Sequence, residues 1–370
     1  MGPNLIALAV PFFFLFIGLE LWVAKRRGVS VYRLGDALSD LGCGVGQQLV
    51  AFLFGTALVT SLYAWTYAHR LLTLPEGWVP WVVAFFGVEV TYYWWHRLSH
   101  EVNLLWAAHV VHHHSEDYNL AVALRQSVTT FLTTLPFYLP LGLLGVPTVV
   151  FAVTLSLSTL YQFWIHTELV GKLPRFDRWF NSPSLHRVHH AINARYLDRN
   201  HGAILSVWDH LFGTFEPEGE PCVYGTTRAL NSYNPLWAQV ETYAELVKLA
   251  RRAPTALDAF KVLFASPAWH PAWMGDFPRR DPARKYDPVP SPGVRRYALW
   301  MWTALLVGVF CLLMWGQGLS GASLAAASAC IVLSLATLPA LVEGRPWART
   351  AEGVRLASLP VLAAVLLLVR

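Results

Sequence analysis

The stretch Val79–His114, VPWVVAFFGVEVTYYWWHRLSHEVNLLWAAHVVHHH, opens as an apolar, aromatic run and closes in histidine. Its first part, Val79–Trp95, reads as a membrane-spanning helix, with Trp and Tyr rings gathered at its end as the lipid–water boundary favours. Its second part sets His96 and His100 in an HxxxH, then His109, His112 and His113 in an HxxHH. A further HxxHH stands at His186, His189 and His190. Residues three and four apart share one side of a helix, so each cluster aims two or three imidazoles in one direction.

Seven other runs have the length and apolarity of spans: Leu5–Val23, Val45–Tyr67, Phe131–Gly145, Val146–Ile165, Arg296–Trp315, Ala322–Leu341 and Leu356–Val369. The pair Phe131–Gly145 and Val146–Ile165 predicts a hairpin turning near Gly145-Val146-Pro147. The first run has its positive charges, Lys25-Arg26-Arg27, on its C-terminal side, the reverse of a cleaved signal peptide, and is expected to be a retained helix. Composition agrees: of 370 residues 55% are hydrophobic and 14% charged, against about 25% charged in an ordinary soluble domain. Mean hydropathy is +0.40. Disorder, a coiled coil and most soluble enzymes are excluded. The expected fold is an all-α polytopic membrane bundle of about eight spans, with a histidine-rich cap for two metals.

Charge orients the bundle. Lys25, Arg26, Arg27 and Arg33 follow the first run, and alternate counting puts the 166–295 segment and the 342–355 loop on the same side. The positive-inside rule makes that side cytoplasmic. The net charge of +5 is accounted for by these loops, so no nucleic-acid partner is expected. Cys43, Cys222, Cys311 and Cys330 are widely spaced and predict no disulfide framework. Residues 271–295, rich in Pro and charge, read as a linker between a histidine-bearing region and C-terminal spans without histidine. Small residues there (Ser320, Gly321, Ala322 and 325–328) allow close helix packing, either against the core or between copies of the chain.

Imidazole suits Fe, Zn, Cu and Ni. The eight cluster histidines are too many for one tetrahedral zinc but enough for two metals with open positions, and His166 offers a ninth ligand at the end of the fifth run. Zinc has no redox chemistry, so iron is the better expectation for oxidation with O₂.

The order HxxxH, HxxHH, HxxHH resembles the fatty acid hydroxylase/sterol desaturase superfamily of membrane di-iron oxygenases. The flanking stretches 105–109, 115–120, 123–127, 162–168, 181–184, 186–190 and 208–215 are similar to the alkylglycerol monooxygenase family within it. The resemblance covers 80–220 well and the whole chain loosely. It implies His96, His100, His109, His112, His113, His186, His189 and His190 as ligands of two iron ions, with Glu101 behind them. It also matches Asn119, Arg125, Gln126 and Glu168 to motif positions that are read either as catalytic or as polar groups bonded among helices. In the 198–202 pattern His201 stands where the family usually has Tyr, and His114 where a small polar residue is common.

The implied domains are 1–78, N-terminal membrane helices; 79–270, a fatty acid hydroxylase-like di-iron domain; 271–295, the linker; and 296–370, C-terminal membrane helices. The implied reaction is hydroxylation beside the ether oxygen of an alkylglycerol-type membrane lipid, giving a fatty aldehyde and a glycerol derivative. It uses O₂, with tetrahydrobiopterin as electron donor, at a cytoplasm-facing site in a bacterial inner membrane or the endoplasmic reticulum. Two other readings use the same histidines: hydroxylation or desaturation of a sterol, fatty acyl or aminolipid substrate, and a non-catalytic membrane metal-binding protein.

Overall fold

A computed structural model describes residues 5–275, 280–281 and 284–368; Arg279 and Pro282 of the linker and the last residue of the final run, Val369, lie outside them. All regular structure among the described residues is helical, apart from the isolated bridges Phe180–Leu205 and Ala191–Tyr224. The N-terminal helices are α1 (Leu5–Arg27), α2 (Leu34–Val50) and α3 (Thr56–Ala68), the last two joined through a π turn at Ala51–Gly55. The histidine region holds α4 (Val79–Glu101), α5 (Asn103–His113), α6 (Thr130–Leu143), α7 (Thr148–Trp164), α8 (Pro183–His190) and α9 (Val207–Phe212). Then come α10 (Pro235–Arg252), α11 (Ala256–Phe264), α12 (Pro292–Trp315), α13 (Gly321–Val342) and α14 (Ala348–Leu368).

Among the described residues four helical stretches are long and apolar enough to cross a membrane: Leu8–Arg27, Leu34–Ala68, Pro292–Gly318 and Gly321–Val342. Helices α4 and α14 have the length, with 23 and 21 residues, but carry more polar and charged groups. With 14 and 17 residues, α6 and α7 are about 21 and 26 Å long, short of a hydrocarbon core of about 30 Å. They form the expected hairpin, which turns at Gly145 with φ +88°; a Cβ there would come within 2.3 Å of the Leu72 carbonyl oxygen.

The second span departs from its sequence expectation. It begins at Leu34 rather than Val45, because the polar, glycine-containing segment 34–44 is helical. That first part of α2 buries Asp36 and Asp40. It also permits a close approach: a Cβ on Gly44 would lie 2.5 Å from the Leu124 carbonyl oxygen, so only glycine admits the loop that carries Arg125.

Local signals fix the helix starts that matter. Ser182 accepts from the Leu185 N–H and Pro183 occupies the first turn of α8, setting the phase of its three histidines. Asn234, Ser291 and Ser320 cap α10, α12 and α13 in the same way. One apolar core packs α3, α4, α6 and α7, where Tyr63 stacks on Phe151 with centroids 3.9 Å apart. A second joins Leu38, Val45 and Leu49 of α2 to Trp302, Leu335 and Leu338 of α12 and α13. The C-terminal helices therefore brace α2. A third core packs α5 beneath α10 and α11.

Candidate metal centre

Nine histidines come together in two buried groups. His96, His100, His109, His113 and His189 form one; His112, His166, His186 and His190 form the other. Within each group the candidate ligand atoms all lie within 4.8 Å of one another.

Helical phase explains the partition. Four residues advance a helix by about 40° past a full turn, whereas three fall about 60° short of one. His109 and His113 of α5 therefore join the five-histidine group, while His112 between them turns to the other. In α8 the arrangement is reversed: His186 and His190 serve the four-histidine group and His189 the five. The expectation that each cluster aims in one direction is thus refined, since both HxxHH motifs are divided between the two groups.

The ring nitrogens converge as metal ligands do. His96 Nε2 lies 2.9 Å from His109 Nε2, which is 3.1 Å from His113 Nε2. In the other group His166 Nε2 is 3.2 Å from His112 Nε2 and 3.0 Å from His186 Nε2. Metal–nitrogen bonds of about 2.1 Å at right angles would put neighbouring nitrogens about 3 Å apart. Nε2 of His100, His189 and His190 is buried with no hydrogen-bond partner in the protein. Such orphaned nitrogens are costly unless something else occupies their lone pairs. A pair of borderline metal ions fits this all-imidazole donor set.

The opposite nitrogens of four rings are held by backbone carbonyls and that of His100 faces a carboxylate. Nδ1 of His96 lies 2.8 Å from the His201 carbonyl oxygen, Nδ1 of His189 lies 2.8 Å from that of Arg199, and Nδ1 of His100 faces Asp198 at 3.5 Å. Nδ1 of His112 lies 2.9 Å from the Arg125 carbonyl oxygen, and Nδ1 of His166 lies 2.7 Å from that of Gln162. A proton kept on Nδ1 leaves the Nε2 lone pair for a metal. Burial, reinforced by neighbouring rings, keeps His109, His113, His189 and His190 well below the usual imidazole range, and burial pushes His112 down to about 4. The rings are consequently neutral, the form that ligates.

The other sequence candidates occupy different places. Arg125 is buried behind His112: its Nε donates to the Val111 carbonyl at 2.6 Å, and its Nη1 to Ser39 Oγ at 2.9 Å and Asp40 Oδ1 at 3.0 Å. Asn119 is buried too, donating to the Val31 carbonyl and accepting from the Ala121 N–H, and so ties the loop after α5 to the α1–α2 connection. Gln126 bonds the Ala123 carbonyl. Glu101 is half-buried, its side chain 43% exposed and paired with Arg97, and Glu168 is exposed beside Tyr224; neither enters a histidine group. His201 lies against the five-histidine group, with its centroid 5.1 Å from that of His100, yet belongs to neither group, as does buried His114.

Three carboxylates that the sequence reading did not single out support the centre. Asp40 receives Arg125. Asp209 accepts from the His201 N–H at 2.7 Å, the Gly202 N–H at 2.9 Å and the Thr214 hydroxyl at 2.8 Å, clamping the loop whose carbonyl orients His96. Burial raises the Asp209 carboxyl to about 6 despite these bonds. Glu20, inside α1, accepts from Tyr32, Thr167 and the Leu120 N–H, and so joins the first helix to the residue after His166. A charged residue within an apolar helix was the available signal, since such groups are rare without a role.

The fold and site define an integral membrane protein with a buried, histidine-only centre able to hold two metal ions. A fatty acid hydroxylase family model matches residues 81–214, which include all nine histidines. Human alkylglycerol monooxygenase is 42% identical over 275 residues, 73% of this chain and 61% of that protein. The alkylglycerol monooxygenases of Xenopus tropicalis and Danio rerio are each 35% identical over 364 residues, or 95% of this chain and 80% and 81% of theirs. The match thus spans less than two thirds of the human protein and about four fifths of the other two. No solved structure matches. The chain belongs to the alkylglycerol monooxygenase family.

Proposed function

We propose that the protein is a membrane monooxygenase that cleaves the ether bond of alkylglycerol-type lipids, with the nine histidines as ligands to two iron ions. The observation that carries this reading is the pair of histidine groups with convergent Nε2 atoms, in a chain of this family. The two ions would supply the activation of O₂.

The overall change consumes one lipid, one O₂, two electrons and two protons. One oxygen atom becomes a hydroxyl on the carbon beside the ether oxygen, and the other leaves as water. The resulting hemiacetal loses its bond to the glycerol oxygen, giving a fatty aldehyde and a glycerol hydroxyl. The electrons are assigned to tetrahydrobiopterin, and the site to the cytoplasmic side of the membrane.

The chain's own contribution is positional. Backbone carbonyls of Arg125, Gln162, Arg199 and His201 hold Nδ1 of four rings and thereby aim their Nε2 atoms. Burial of the groups excludes water, which limits wasteful side reactions. The alkyl chain is assigned a course along α4, α6 and α7, with the ether carbon at the histidine end of α4. Residues 79–270 serve as the catalytic unit between two sets of membrane helices. Asn119 and Arg125 support that unit by tying its loops in place, whereas Glu101 and Glu168 stand outside the histidine groups.

The test is iron-loaded protein in lipid nanodiscs with reduced tetrahydrobiopterin, O₂ and a 1-O-alkylglycerol, reading fatty aldehyde. Aldehyde dependent on all three additions is expected. Folded, iron-loaded protein that forms none would sink the ether-lipid reading. Hydroxylation of a sterol, acyl or aminolipid substrate instead would favour the broader superfamily activity, and tight iron binding without turnover would favour a metal-binding role.

A further inference from the structure

Two adjoining hollows of about 360 and 440 Å³ lie between the start of α12 and the α13–α14 turn, at an end of the C-terminal bundle remote in sequence from the histidines. They share Val294, Leu341 and Arg349 and so form one groove. Its two ends differ in character. Toward α14 it is lined by Val294, Leu341 and Leu356, and is kept open by Gly293 and Gly353: a Cβ on either glycine would meet nothing within 4 Å. Toward the turn its charged lining is Glu343, Arg345 and Arg349, beside the proline-rich segment 288–291.

The charges along the groove do not cancel. Both acids that line it are already engaged. Glu352 takes Arg355 through both oxygens, at 2.8 and 2.5 Å, together with Tyr297 and Thr337. Glu343 takes Ser232, the Tyr233 N–H and Arg345 Nε. Arg349 is exposed and has no hydrogen-bond or ion-pair partner among the described residues. Arg295 and Arg296, exposed on the first turns of α12, add to the same positive field. The groove sits at the ends of two long apolar helices, with Trp347 half exposed in the turn, where a membrane surface would run.

We propose that this groove binds one anionic phospholipid, with the phosphate at Arg349 and the first acyl carbons between α12 and α14. An amphipathic cleft at the boundary layer, apolar toward one end and cationic toward the other, has the polarity of such a lipid. A soluble anion would gain nothing from the apolar half. The site is independent of the histidine chemistry, and its failure would leave the monooxygenase reading untouched.

The experiment reconstitutes the full chain in vesicles of phosphatidylcholine with phosphatidylglycerol and counts retained lipid by native mass spectrometry. The wild-type protein is expected to retain one phosphatidylglycerol in preference to phosphatidylcholine. Arg349→Gln should lower that occupancy about fivefold, the effect of one arginine at an anionic membrane surface. Gly353→Leu, on a helix with open space at that position, should fold normally and block retention by filling the groove. Glycerol 3-phosphate in solution should not displace the lipid. Equal retention in the wild type and both variants overturns the proposal, and so does displacement by glycerol 3-phosphate, which would make the groove a site for a soluble phosphate ester.

Discussion

The two histidine groups draw on the same short helices, yet they are held from different sides. The five-histidine group is fixed by the loop after α8: carbonyls of Arg199 and His201 and the Asp198 carboxylate face its Nδ1 atoms, and Asp209 clamps that loop. The four-histidine group is fixed from the membrane helices. Arg125, behind His112, is locked to Asp40 of α2, and Thr167, next to His166, is bonded to Glu20 of α1. The C-terminal helices brace α2, the helix that holds Asp40. One centre is thus tuned by a loop and the other by the bundle, so separate perturbations should reach them separately.

The largest effect should come from removing a ring in the middle of the five-histidine group. His109→Ala removes the ring whose Nε2 meets both His96 and His113. It should lower bound metal and cut turnover by more than about 100-fold, since groups that merely orient ligands already cost 10–100-fold. Full metal content by elemental analysis would contradict its role as a ligand. Next, Asp40→Asn should weaken metal at the four-histidine group, leaving about one equivalent bound and activity down about 10- to 100-fold. Breaking this buried pair also costs about 3–5 kcal/mol of stability, so folding must be checked by thermal melting. Loss of both metals together would break the comparison.

Asp209→Asn is the matching change on the loop side. It should act on the five-histidine group, with about a tenfold loss of turnover and the other metal retained. The smallest effect is expected of Glu101→Gln, because its partner is Arg97 on the surface rather than a ring. Activity within about twofold of wild type is expected, as exposed ion pairs contribute little. A loss as large as that of Asp209→Asn would bring Glu101 into the centre.

What could be read from the residues alone follows the same physical line. Histidine spacing pointed to eight of the nine rings that gather and a place at the end of the fifth run to His166, because the imidazole itself carries the signal. The partition into five and four was not apparent, since it depends on the phase of α5 and α8 relative to α4 and α7. Asp40 and Asp209 escaped notice for another reason: they act through the main-chain carbonyls of Arg125 and His201, and a carbonyl has no signature in residue type. The polar segment 34–44 fell outside the expected second span because its amphipathic helix buries carboxylates against arginine and backbone donors rather than apolar groups. The C-terminal spans were visible, but their contact with α2 was not.

The division of both HxxHH motifs has a consequence for how the centre is assembled. Occupancy of the five-histidine group would immobilise α5 through His109 and His113 and α8 through His189, and so carry His112, His186 and His190 into register. The first ion would meet part of the ordering entropy for the second, so the two seats should fill with positive cooperativity. A single residue inserted into either helix would rotate the rings after it by about 100° and disable both seats at once. The two seats are therefore coupled through the helices they share, while each keeps its own supports.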